Sequence, residues 1–140
     1  DIPTTYLLVE KVTKIAVIPN IDYFYFQRKT SIAQANFSLQ KMDAINHMND
    51  FRNFITVNYP LLKKAAECRY FSVLCNILFQ IQSPEFKQQQ EELWNEIKKY
   101  RYSVLKNRYG RKKARVAALL SYGGYKFLYK IYVSTQKSVI

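Results

Sequence analysis

The sequence predicts a mainly α protein: a helical bundle preceded by a short N-terminal helix and a two-stranded β ribbon. Three observations lead there. Apolar residues recur at three- and four-residue steps from about residue 38 onward. Strand-forming runs are confined to 14–27. With 3 Gly and 4 Pro in 140 residues, the chain lacks the turn chemistry of a small β-sandwich, a collagen or a low-complexity segment. A hydrophobic fraction of 49% and an aromatic fraction of 16% suffice for a packed core of one-domain size.

The first element is a helix over 3–12. Pro3 suits a first turn, and Leu7, Leu8 and Val12 follow at helical spacing. Next comes KIAVIPNIDYFYFQR, in which Ile15, Val17 and Ile18, then Ile21, Tyr23, Tyr25 and Phe26, favour strands. Pro19-Asn20 between them is a turn signal, so strands are expected at 14–18 and 21–27. A two-stranded ribbon is marginal in water unless it packs on something. Residues 1–35 are therefore expected to belong to a larger sheet, supplied by further sequence or by a partner. Left alone, the ribbon is expected to self-associate with a second copy or to pack on helices 38–81.

From Ser38, a candidate N-cap, the pattern turns helical. Met42, Ile45, Met48, Phe51 and Ile55 carry one helix to about residue 58. Pro60 restarts a second helix to about 81. It contains FSVLCNILFQI (71–81), which reads as a buried helix and falls short of the ~18 apolar residues of a membrane span. Ser83-Pro84-Glu85 opens a third helix, with Phe86, Leu93, Trp94, Ile97, Tyr100 and Tyr102, ending near 108 before Gly110. A last helical stretch covers 111–135, with a break at Gly123-Gly124. The expected divisions are 1–35, a helical region 36–108, and a basic amphipathic tail 109–140.

The chemistry-bearing residues are few. Cys68 and Cys75 lie seven apart on one helix, roughly 10 Å along its axis, too far to bond. Free buried thiols point to a reducing, intracellular compartment. His47 is the single histidine, which argues against a zinc site, and is expected as a partly exposed helix residue. No GxSxG, Walker loop or GxGxxG occurs. No basic n-region precedes an apolar stretch, as a secretory signal requires. The missing start methionine leads us to expect a piece of something longer.

Charge is more informative. The net charge is +12, and it is lopsided. Residues 1–96 carry ten basic and ten acidic side chains, whereas 97–140 carry twelve basic and no acidic ones. Such asymmetry calls for a polyanionic partner, nucleic acid or an anionic membrane surface, or else a solvated helix face. KKYRYSVLKNRYGRKKAR (98–115) interleaves cations with tyrosines, as nucleic-acid and membrane-surface binders do, but no helix-turn-helix, RNA-recognition or KH signature accompanies it. If 111–132 forms one helix, Lys112, Arg115, Lys126 and Lys130 fall within a stripe roughly 60° wide. Val116, Leu120, Phe127 and Ile131 lie to one side and Tyr122, Tyr125, Tyr129 and Tyr132 to the other. That layout suits a membrane interface.

DYFYFQRKTSI (22–32) carries the sharpest signal, with alternating tyrosines, then Arg28, Ser31 and Ile32. It resembles the C-terminal edge of the catalytic domain of bacterial family 2 glycosyltransferases, many of which read Tyr-x-Tyr-Arg-x-Arg-x-x-Ser-Ile here. In that family a Glu-Asp pair opens a helix, before a short strand and a turn. Asp1, DIPTTYLLVEKVTK, IAVI and Pro19-Asn20 supply that order. SLQKMDAI and the basic, tyrosine-rich tail are similar to the helical continuation of such enzymes. Phe26 stands where the family has its first arginine.

The resemblance implies that 1–35 completes a nucleotide-sugar α/β domain, whose metal-binding Asp-x-Asp half lies upstream. It implies an inverting transferase that moves a hexose from a nucleotide-sugar to a lipid-linked or glycan acceptor. The setting is bacterial cell-surface polysaccharide assembly, at the cytoplasmic face of the membrane. Asp1 is then the catalytic base, and Arg28 and Ser31 touch the diphosphate or acceptor phosphate. Read from the residues alone, Asp1 is a helix cap, Arg28 a solvated strand end and Ser31 a turn cap. A divalent metal, Mn or Mg, is expected in the parent enzyme and no cofactor in this piece, which is expected to be inactive alone. The resemblance favours an anionic membrane surface over nucleic acid. The alternative is a small helical nucleic-acid-binding or regulatory module using 98–115.

Overall fold

A computed structural model describes residues 2–17, 19, 24 and 37–137. The chain separates into two compact units, 1–36 and 37–140. In the first, helix α1 spans Ile2–Lys11. Leu7, Leu8, Val9 and Val12 are exposed.

The described residues contain no strand. Residues 14–17 of the expected first strand are irregular, and 21–27 lies outside the described residues apart from Phe24, which is irregular too. Val17 is 92% exposed. Strand-forming side chains hold a strand only against a paired neighbour, and 14–17 has none among the described residues.

The second unit is helical throughout most of its described length. A 3₁₀ turn, Leu39–Met42, leads into α2 (Asp43–Asn58). Ser38 is extended and starts this turn through its backbone, its carbonyl accepting from the N–H of Lys41 at 2.9 Å. Pro60–Leu62 forms a second 3₁₀ turn before α3 (Lys63–Gln80). The turn Pro84–Phe86, capped by the Ser83 hydroxyl accepting from the Glu85 N–H, leads into α4 (Lys87–Lys106). α5 (Lys112–Leu120) and α6 (Tyr125–Lys137) come next, joined by a turn through Ser121–Gly123. Gly124 has φ +94°, a left-handed conformation that only glycine adopts without strain, and here the helix breaks.

α3 is the central element and packs on both α2 and α4, while α5 packs on α4. Its apolar residues are not confined to one stripe, so Phe71, Leu74, Cys75, Leu78 and Phe79 can meet two neighbours at once. Ile97 and Val104 close the core from α4, Ala118 from α5 and Leu128 from α6. α6 is held by rings: Tyr132 stacks on Phe79 at 4.1 Å, and Tyr125 meets Trp94 at 6.0 Å. Residues 109–135 are thus part of the same packed unit as the helices before them.

Candidate functional site

α3 starts, and α4 ends, at the same end of the unit. Their termini are pinned by Asn107, a buried residue just past α4. Its side-chain amide donates to the carbonyl of Lys64 at 3.1 Å, and its side-chain oxygen accepts from the N–H of Tyr109 at 3.2 Å. The Gly110 N–H then donates to the Asn107 carbonyl at 2.9 Å. A Cβ on Gly110 would meet that carbonyl at 3.1 Å and the Cys68 sulfur at 3.3 Å, so close approach selects glycine here.

Between the α2–α3 turn and the α4–α5 loop lies an open groove of about 620 Å³. Lys64, Arg69, Lys106, Arg108 and Arg111 line it, and no carboxylate does. Ion pairs among the described residues lie elsewhere, Lys87 with Glu91 at 3.9 Å and Lys99 with Glu96 at 2.5 Å. Glu67, next to the groove wall, is buried and accepts from the Ser103 hydroxyl. Lys106 and Arg108 sit over tyrosine rings, Tyr102 at 5.9 Å and Tyr109 at 5.4 Å. Leu61 and Leu62 line the groove as well. Five cations without a carboxylate in one recess favour a phosphate-bearing ligand.

A second polar cluster ties the helices together. The Arg52 guanidinium lies 5.5 Å from the Tyr70 ring and 5.3 Å from the Tyr100 ring, which meet edge to face. Burial pushes the Tyr70 phenol up to about 12, and neighbouring Glu96 and Tyr100 add to this against Arg52. Tyr70 therefore stays protonated and donates to Glu96. Burial also raises Tyr100, and it raises Tyr125 with help from Tyr129. Cys75 is pushed up to about 12 by burial alone and is an inert core thiol at neutral pH.

Asp1, Arg28 and Ser31 lie outside the described residues. The four proposed membrane-surface cations divide between two helices, Lys112 and Arg115 on α5 and Lys126 and Lys130 on α6. The turn at Gly124 separates the pairs, so they do not form the continuous stripe of one helix. Arg115 is half-buried and its Nε donates to the Leu105 carbonyl at 3.3 Å. Lys112, Lys126 and Lys130 are exposed. His47 is exposed on α2, and Cys68 and Cys75 are free and buried.

The groove residues Leu61, Leu62, Lys64 and Arg69 escaped sequence reasoning. Their signal was VNYPLLKK (57–64), an apolar pair set directly after a helix-breaking proline and before two lysines.

Among the described residues no three His, Cys, Asp or Glu side chains gather. No helix among them is long and apolar enough to cross a membrane. No protein-family model, curated protein or solved structure matches the chain.

Proposed function

We propose that this chain is the C-terminal region of an inverting family 2 glycosyltransferase, acting at the cytoplasmic face of the membrane on a lipid-linked or glycan acceptor. The observation that carries the reading is the tract Tyr23, Tyr25, Arg28, Ser31 and Ile32 in the family's order, preceded by Asp1 at a helix start. A helical region after that tract, with a basic tail that has no acidic residue from 97 onward, is in keeping with it. In this reading Asp1 takes the proton from the acceptor hydroxyl as its oxygen attacks the anomeric carbon. The nucleoside diphosphate departs with the electrons of the broken C–O bond, and Arg28 and Ser31 hold phosphate oxygens. A divalent metal bound upstream supplies charge neutralisation for that leaving group.

The test is Asp1→Asn in the parent enzyme, supplied with nucleotide-sugars and a lipid-linked acceptor. General-base loss lowers kcat by roughly 10²–10⁴-fold. Unchanged turnover, or a parent without transferase activity, removes the reading. One observation favours the alternative: Tyr109, 88% exposed beside Arg108 and Arg111, could stack on a base. A steeply salt-dependent shift of RNA or DNA by the chain, with no transfer by the parent, would establish it.

A further inference from the structure

The end of the helical unit that holds the groove combines two properties. Its apolar side chains face solvent instead of packing inward: Leu61 and Leu62, on the Pro60–Leu62 turn, are 99% and 52% exposed, and Val57, in the last turn of α2, is 76% exposed. Across the groove Tyr109 projects from the α4–α5 loop. The same end carries the five groove cations, none engaged by a carboxylate among the described residues. Each property alone is ordinary, since scattered exposed apolar residues and lysine-rich faces are common. Their juxtaposition is specific. Exposed aliphatics beside a cluster of cations match the boundary of an anionic bilayer, with acyl chains below and phosphates above.

A nucleic acid fits less well: it would use the cations and Tyr109 but offers nothing to Leu61, Leu62 and Val57.

We propose that this end of the unit is a membrane-docking foot. Leu61, Leu62 and Tyr109 enter the headgroup–acyl boundary, and Lys64, Arg69, Lys106, Arg108 and Arg111 hold the phosphates of anionic lipids, one of them seated in the groove. The proposal rests on the membrane setting of the glycosyltransferase reading and gives it a partner and an orientation. The bundle stands end-on, with α3 rising from the bilayer, and α6 does not lie flat on it. The first turn of α5 agrees: Arg111, Lys112 and Lys113 crowd a helix start that has no acidic residue, an arrangement that the helix dipole disfavours and lipid phosphates would relieve.

The experiment is co-sedimentation of the chain with phosphatidylcholine vesicles, with and without phosphatidylglycerol, joined to fluorescence quenching by brominated lipid. The chain is expected to pellet with the anionic vesicles only, and added salt to release it. Each cation near the surface is worth roughly five-fold in binding, so Arg69→Gln, Arg108→Gln and Arg111→Gln together weaken it about 100-fold. Leu61→Ser with Leu62→Ser weakens it at least about ten-fold with an unchanged Tm, because both side chains are exposed. Leu61→Trp is quenched by brominated lipid, and Phe127→Trp on α6 is not.

Three results overturn the foot: no pelleting with anionic vesicles, pelleting indifferent to both sets of substitutions, or quenching at Phe127→Trp instead of Leu61→Trp. The last would place the bilayer on α5 and α6. In the first case, a shift of RNA by the chain would assign the groove to nucleic acid instead. The enzyme reading fails separately: a chain that pellets as described while its parent transfers no sugar keeps the foot and loses the glycosyltransferase.

Discussion

The side-chain amide of Asn107 donates to the carbonyl of Lys64 across 43 positions of sequence, at 3.1 Å. This bond closes the α4–α5 loop onto the first turn of α3 and so brings the cations of both segments to one groove. Asn107→Ala removes it together with the bond to the Tyr109 N–H. The expected loss is about 1–3 kcal/mol, read as a lower urea midpoint with an unchanged slope. A variant as stable as the parent would mean that the loop is held by its backbone alone.

Gly124 and Gly110 are required for different reasons, and substitution separates them. At Gly124 a Cβ meets nothing within 4 Å, so Gly124→Ala costs only the positive-φ, extended-ψ backbone, about 1–3 kcal/mol. At Gly110 the backbone is ordinary, but the Cβ would press on the Asn107 carbonyl and the Cys68 sulfur. Cys68→Ala is therefore expected to restore part of the stability lost in Gly110→Ala, and to do nothing for Gly124→Ala. Thermal melts of the two double variants check both.

Core and foot respond oppositely to truncation. Leu78 is fully buried, and Leu78→Ala is expected to cost about 2–5 kcal/mol. Leu61→Ala removes the same atoms from solvent and stays within about 0.5 kcal/mol. Chemical denaturation of the pair decides whether Leu61 is as free in solution as in the structure.

Alkaline pH should destabilise the fold, and two groups with large shifts set the window. Tyr70 is raised from 10.0 to about 12 and Cys75 from 9.0 to about 12. Between the unfolded and folded values the unfolded chain has already lost the proton that the folded chain keeps, so stability falls as pH rises. The contribution is fully present below about pH 9 and is lost between about 9 and 12. Tyr70→Phe flattens the upper part of that fall, from about 10 upward, and Cys75→Ala the part that begins at about 9. Urea midpoints measured at several alkaline pH values would show it. Cys75 should also resist thiol reagents at neutral pH until the chain unfolds.

The helices were legible because their signals are local. FSVLCNILFQI announces a buried helix by its apolar content, Ser83-Pro84 a helix start, and Gly123-Gly124 a break. Residues 14–17 misled for the complementary reason. Ile15 and Val17 have strand-forming side chains, but a strand exists only when a second segment pairs with it, and propensity does not reveal whether one does.

Charge divides in the same way. Counting residues was enough to place every excess cation after position 96. Counting could not say which cations act together. Lys64 and Arg69 belong to the electrically neutral part of the chain, Lys106, Arg108 and Arg111 to the basic part, and their convergence depends on the start of α3 meeting the end of α4. The composition and the 3.6-residue periodicity are properties of short stretches, so the sequence by itself determined the helices and the uneven distribution of charge. The groove depends on long-range packing around Leu74, Leu78 and Ile97, and only the tertiary structure decided it.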